Sequence, residues 1–172
     1  MRNAILNSGT IDFLAKFTDS DQFEKTFKEG MGLVEETANY LDGDGRIDAR
    51  LLDRLGAVAY ATESMRLTTR LMQMASWLLL QRAIGSGELN PQDASREKHR
   101  INLGEIGRGH DLMGGEQLPD GLKALVDRSL RLLERIKTLD LMLNRVQPAN
   151  SDEDTSPVDA QINMLKRAFK TG

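Results

Sequence analysis

Cysteine is absent from the 172 residues, proline occurs 4 times, and there are only 2 histidines. The missing cysteines exclude disulfides, thiol nucleophiles and cysteine metal ligands, and their absence is compatible with the cytosol. His99 and His110 lie across a glycine-rich stretch, without HExxH spacing or the companions of a zinc site. Glu-x-x-His pairs, which a di-metal helical bundle needs, are missing as well. Nothing marks a Ser-His-Asp arrangement. Met113-Gly-Gly-Glu116 is followed by neither Lys-Ser nor Lys-Thr and is no phosphate loop. The residues therefore read as a non-enzymatic protein with no cofactor and no metal. Aromatics make up only 5% and Val, Ile and Tyr are sparse, so Leu and Met must supply the core, which favours helices over a twisted sheet. A net charge of −3, with no basic cluster leading a recognition helix, argues against a nucleic-acid partner. No apolar run is long enough for membrane insertion. Arg2 is not followed by the apolar core of a secretory signal.

What is present is helical. The run Ala61–Ile84, ATESMRLTTRLMQMASWLLLQRAI, contains no Gly or Pro and is rich in good helix formers. Leu67, Leu71, Met74 and Leu78 form one line at helical spacing; Met65, Met72 and Leu79 mark a second; Trp77 and Leu80 lie off both. A surface helix shows one apolar stripe. This one is apolar nearly all round, which predicts a central helix covered on several sides and reaching a second subunit. Arg66, Arg70, Gln73 and Trp77 form a candidate protein-interaction surface, because Trp and Arg concentrate in interfaces. A core tryptophan with arginines lying along the helix edge is the other reading of the same residues. Glu63 and Arg66 are spaced to pair, whereas Arg66 and Arg70 would repel unless carboxylates from another helix or subunit meet them.

The same run carries a family resemblance. Tyr60–Ala83, YATESMRLTTRLMQMASWLLLQRA, resembles the signature of the regulators of CtrA degradation of alphaproteobacteria, the RcdA-like proteins. Gly30–Leu41, GMGLVEETANYL, resembles part of that family's first helix. The resemblance spans roughly Phe23 to Val146. It implies a three-helix dimer with a mobile C-terminal region, acting as an adaptor for the ClpXP protease. The implied partners are a CpdR-like response regulator that prepares the protease, a PopA-like effector and a CtrA-like cargo. The implied location is the cytoplasm, with concentration at a cell pole left open. A dimeric helical scaffold or regulator with another protein partner is the alternative.

Taken in order, the chain divides into an N-terminal arm (1–19), a helical bundle (20–146) and a flexible tail (147–172). The fold class expected is all-α, a dimeric three-helix bundle. In the arm, Ile11, Phe13, Leu14 and Phe17 could form a helical turn on the bundle. A first helix starts near Ser20, with Phe23, Phe27, Gly30 or Met31, Val34, Ala38 and Leu41 at helical spacing. The segment Leu41–Asp48 reads as a turn. It also resembles a calcium loop, but placing Gly45 at the invariant glycine leaves Tyr40 and Leu51 where the first and last carboxylates belong. A second helix is expected from Ala49 to Ile84, with Leu51, Leu52, Leu55 and Val58 directed into the core. Gly85–Leu118 is a crossover longer than a tight bundle loop. The third helix begins at Pro119 or Asp120 and repeats Leu122, Leu125, Ser129, Leu132, Ile136, Leu139, Leu143 and Val146 at spacings of three and four. Beyond the polar stretch 147–157, Ile162, Leu165 and Phe169, edged by Lys166, Arg167 and Lys170, form an amphipathic segment suited to docking on a partner.

Overall fold

The computed structural model describes residues 15–104 and 112–146. Residues 15–18 are helical. Five α-helices follow: α1 (Asp21–Asp42), α2 (Asp44–Arg50), α3 (Arg54–Gly85), α4 (Pro91–Arg100) and α5 (Asp120–Val146), with a 3-10 turn at Gly115–Gln117 before α5. Among the described residues there is no strand, and no helix is long and apolar enough to cross a membrane. Among the described residues the all-α expectation holds, but the simple three-helix bundle is corrected to six helices, the five α-helices and the 3-10 turn. α1, α3 and α5 are the long members; α2, α4 and the 3-10 turn are additions with physical causes.

The first cause is a break in the expected second helix. Asp53 caps α3, its side chain accepting the Gly56 N–H at 2.8 Å. That carboxylate also takes the Gln117 side-chain amide at 3.0 Å, and these two hydrogen bonds hold its pKa below the usual carboxylate range. Residues 44–50 turn as a separate helix. Leu51, Leu55 and Val58, expected inside, are exposed.

The second cause is topology. Glu36 pairs with Arg128 at 2.7 Å and Glu29 pairs with Arg135, so α1 runs antiparallel to α5. Arg70 meets Ser129 and Trp77 meets Asp140, so α3 and α5 run in the same direction. Parallel neighbours need a return connection along the length of the bundle, about 48 Å for the 32 residues of α3 at 1.5 Å each. That explains the long crossover. α4 travels back beside α3, the Asn102 N–H reaches Gln73 Oε1 at 2.9 Å, and the chain arrives at Gln117 beside Asp53.

The core is built from Phe23 and Leu33 of α1, Leu67, Leu71, Met74, Trp77 and Leu78 of α3, and Leu122, Leu125, Leu132, Leu133, Ile136 and Leu143 of α5. On α1 the buried line is Phe23, Thr26, Gly30, Leu33 and Thr37, so the expected inward Val34 and Ala38 give way to their neighbours. The Thr26 hydroxyl donates to the Gln22 carbonyl at 2.8 Å, which lets a hydroxyl sit in that line. Gly30 lies where helices cross: a Cβ there would stand 2.6 Å from the buried Leu78 Cδ1, whereas a Cβ on Gly32 would meet nothing within 4 Å. Opposite signs should follow from two similar substitutions. Gly30→Ala should lose about 1 kcal/mol through overpacking, and Gly32→Ala should gain about 0.5–1 kcal/mol through helix propensity; urea unfolding followed by circular dichroism reads both.

Candidate protein-interaction surface

The residues singled out on α3 separate into an inner and an outer set. Arg70 and Trp77 are each only 1% exposed. The Arg70 guanidinium donates to Ser129 Oγ at 2.7 Å, and the Ser129 hydroxyl in turn donates to the Val126 carbonyl at 2.7 Å. Glu63 lies 3.7 Å from Arg70 and 3.5 Å from Arg66. One carboxylate from the same helix therefore relieves the repulsion between the two arginines, with no other helix or subunit required. The Trp77 indole N–H donates to Asp140 at 2.9 Å, and Asp140 also accepts from Asn144. These contacts fix the register of α3 on α5. Arg66 and Gln73 are half-buried, at the edge of the helix. Ile162, Leu165 and Phe169 lie outside the described residues.

At one end of the bundle a second polar group is packed as tightly. The Tyr40 hydroxyl donates to Asp48 at 2.9 Å; burial first, then the hydrogen bond and charge of that carboxylate, push its pKa up. A Cβ on Gly45 would stand 2.6 Å from the Tyr60 hydroxyl oxygen, so α2 sits directly against α1 and α3.

The feature that bears on function is a line left uncovered rather than a pocket. Val58, Met65, Met72 and Leu79 of α3 are 60%, 71%, 65% and 52% exposed. They recur every seven residues, and Leu55, Thr62, Thr69 and Ser76 stand three before each. That is the spacing of a helix–helix seam. The Thr62 and Thr69 hydroxyls donate to the Val58 and Met65 carbonyls at 2.8 and 2.9 Å, so their polar atoms are satisfied within the helix. The seam runs 21 residues from Val58 to Leu79, or about 32 Å at 1.5 Å each. The chain buries the first line of α3, Leu67, Leu71, Met74 and Leu78, and leaves this second one open. The spacing of seven was visible in the sequence; its exposure was not. Two further exposed side chains, Ile47 and Met113, had no signal at all, since their position depends on the break after α2 and on the return of the crossover.

Among the described residues no group of three or more His, Asp or Glu side chains could hold a metal ion. The inner polar groups of the bundle serve packing, and the longest run of exposed apolar side chains lies along α3, a surface of the kind that meets another helix. The comparisons carry this to a family. The model of the family described as "Protein of unknown function (DUF1465)" matches residues 14–169. The crystal structure of RcdA from Caulobacter crescentus is 50% identical, with 75% of this chain and 96% of that chain covered and a TM-score of 0.59. No curated protein matches. The chain belongs to the DUF1465 family and is an RcdA-like protein.

Proposed function

We propose that this chain delivers cell-cycle regulatory proteins to the ClpXP protease as a homodimer joined along the open line of α3. Kinship with RcdA over nearly the whole of that protein is the observation that carries this reading. Its partners are a CpdR-like response regulator that prepares the protease, a PopA-like effector and a CtrA-like cargo, in the cytoplasm and concentrated at a cell pole. The seam supports the dimer by its symmetry. A two-fold axis between Thr68 and Thr69 pairs Met65 with Met72 and Val58 with Leu79 of the second copy, so one patch meets itself in antiparallel fashion. Arg66 and Gln73 flank the contact, while Arg70 and Trp77 serve it from within by holding α3 in register. The division that goes with this reading is a segment of residues 1–19, whose first fourteen lie outside the described residues, and a bundle of residues 20–146. In the tail, residues 147–172, Ile162, Leu165 and Phe169 dock on the protease-bound partner, and tethering raises the effective concentration of that modest contact.

Reconstituted proteolysis tests the reading. Degradation of a CtrA-like cargo by ClpXP should speed up when this protein, the response regulator and the effector are added together. The chain cut after Ala149 should bind cargo and deliver it poorly. An unchanged degradation rate with full-length protein, despite measured binding to the cargo–effector complex, contradicts delivery.

A further inference from the structure

The crossover meets the bundle as a strap whose own bonds are largely internal. α3 is closed ahead of it: the Glu88 N–H returns to the Ala83 carbonyl at 3.0 Å. Gly87 turns the chain there at a φ of +74°, and a Cβ on it would meet nothing within 4 Å. Asn90 then caps α4, its side chain accepting the Asp93 N–H at 2.9 Å, with Pro91 at the first helical position. Arg96 pairs with Asp93 at 3.7 Å and Arg100 with Glu97 at 3.0 Å, each three residues along the same helix. The cap and both ion pairs therefore stay made wherever α4 lies.

Its hold on the bundle is slight by comparison. Among the described residues Ala94 is the one buried side chain of α4, and Ile101 and Leu103 are partly buried against the core. The polar anchors, Lys98 on Asn144 of α5 and the Asn102 N–H on Gln73 of α3, are exposed to solvent. Beneath the strap the packing is open. A cavity of about 420 Å³ lies between Lys98, Ile101 and Leu103 on one side and Trp77 and Asp140 on the other. We infer that residues 90–104 form a cover that opens as a unit over the groove between α3 and α5, while the three long helices stay folded. The anchoring bonds that break are in contact with water already, and Trp77 keeps its bond to Asp140. The apolar surface uncovered is that of Ala94, Ile101 and Leu103, a small part of what holds the bundle. The floor of the groove at Trp77 is within reach of a partner in the open form alone, so a partner that enters it selects that form.

Hydrogen exchange of the full-length protein, read by mass spectrometry, tests the cover. Amides of residues 94–102 should exchange together, at least about 100-fold faster than the slowest amides of α1, α3 and α5. The double variant I101S/L103S removes the larger apolar anchors. It should speed exchange in the strap by a further tenfold or so and leave α1 and α5 as they are. Trp77, the only tryptophan, should then become open to quenching by acrylamide. Strap and bundle exchanging at one rate in the parent protein overturns the cover. So does a double variant that fails to fold, that speeds α1 and α5 along with the strap, or that leaves strap exchange or Trp77 quenching at the parent's level. These readouts involve neither cargo nor protease, so they stand apart from the delivery assay.

Discussion

Trp77→Ala should cost the fold about 3–5 kcal/mol, the range for truncating a large buried aromatic. Trp77 is 1% exposed, and its indole both fills the space between α3 and α5 and donates to Asp140 at 2.9 Å. Alanine removes the packing and the hydrogen bond together. Trp77→Phe keeps most of the ring and loses the N–H, so its cost should stay nearer 1 kcal/mol, the net worth of one hydrogen bond. Asn144 still donates to Asp140 in either variant. Urea unfolding must be followed by circular dichroism, because Trp77 is the only tryptophan. A loss under about 1 kcal/mol for the alanine variant contradicts a core role.

Met72→Glu should leave the fold intact and separate the two copies. Met72 is 65% exposed within one chain, so the charge costs the monomer little. In the antiparallel pairing it faces Met65 of the second copy, and the two-fold axis places the new carboxylate in the interface twice. Burying an unpaired carboxylate costs several kcal/mol, so dimer dissociation should strengthen by on the order of 100-fold, about 2.8 kcal/mol. Sedimentation velocity across a concentration series reads the change, with unfolding by urea as the control for folding. If Met72→Glu shifts the unfolding midpoint but not the sedimentation profile, the open line is not where the copies meet.

The long helices were legible because their patterns are local. Leu122 to Leu143 repeats at three and four, and all but Ser129 and Leu139 of the expected inward residues there are buried apolar side chains. Ser129 interrupts that repeat for a reason that lies on another helix, the Arg70 guanidinium. Leu67, Leu71, Met74 and Leu78 were likewise readable as one apolar line of α3, though not as the line that is buried. The break before α3 was not, since Leu51, Leu52, Leu55 and Val58 continue a helical period; Asp53 ends it by capping, with Gln117 arriving from far along the chain to hold it. The crossover's length is legible in the sequence, but its cause lies in the direction of α5 relative to α3. Arg70 and Trp77 stand out on an apolar helix, yet composition alone leaves open whether they face a partner or the core. That depends on which line α5 covers.

The open face of α3 is tested most directly by a distance between two copies. The chain has no cysteine, so a single Val58→Cys substitution takes one spin label per protomer. Dipolar spectroscopy should find a label-to-label distance of about 32 Å or slightly more, set by the 21 residues that separate Val58 from Leu79 in an antiparallel pair. A label at Thr69, beside the two-fold axis, should give about 10 Å, the spacing of packed helices. A distance near 10 Å at position 58 means parallel pairing, and no intermolecular distance at either position means that the seam of α3 does not join two copies.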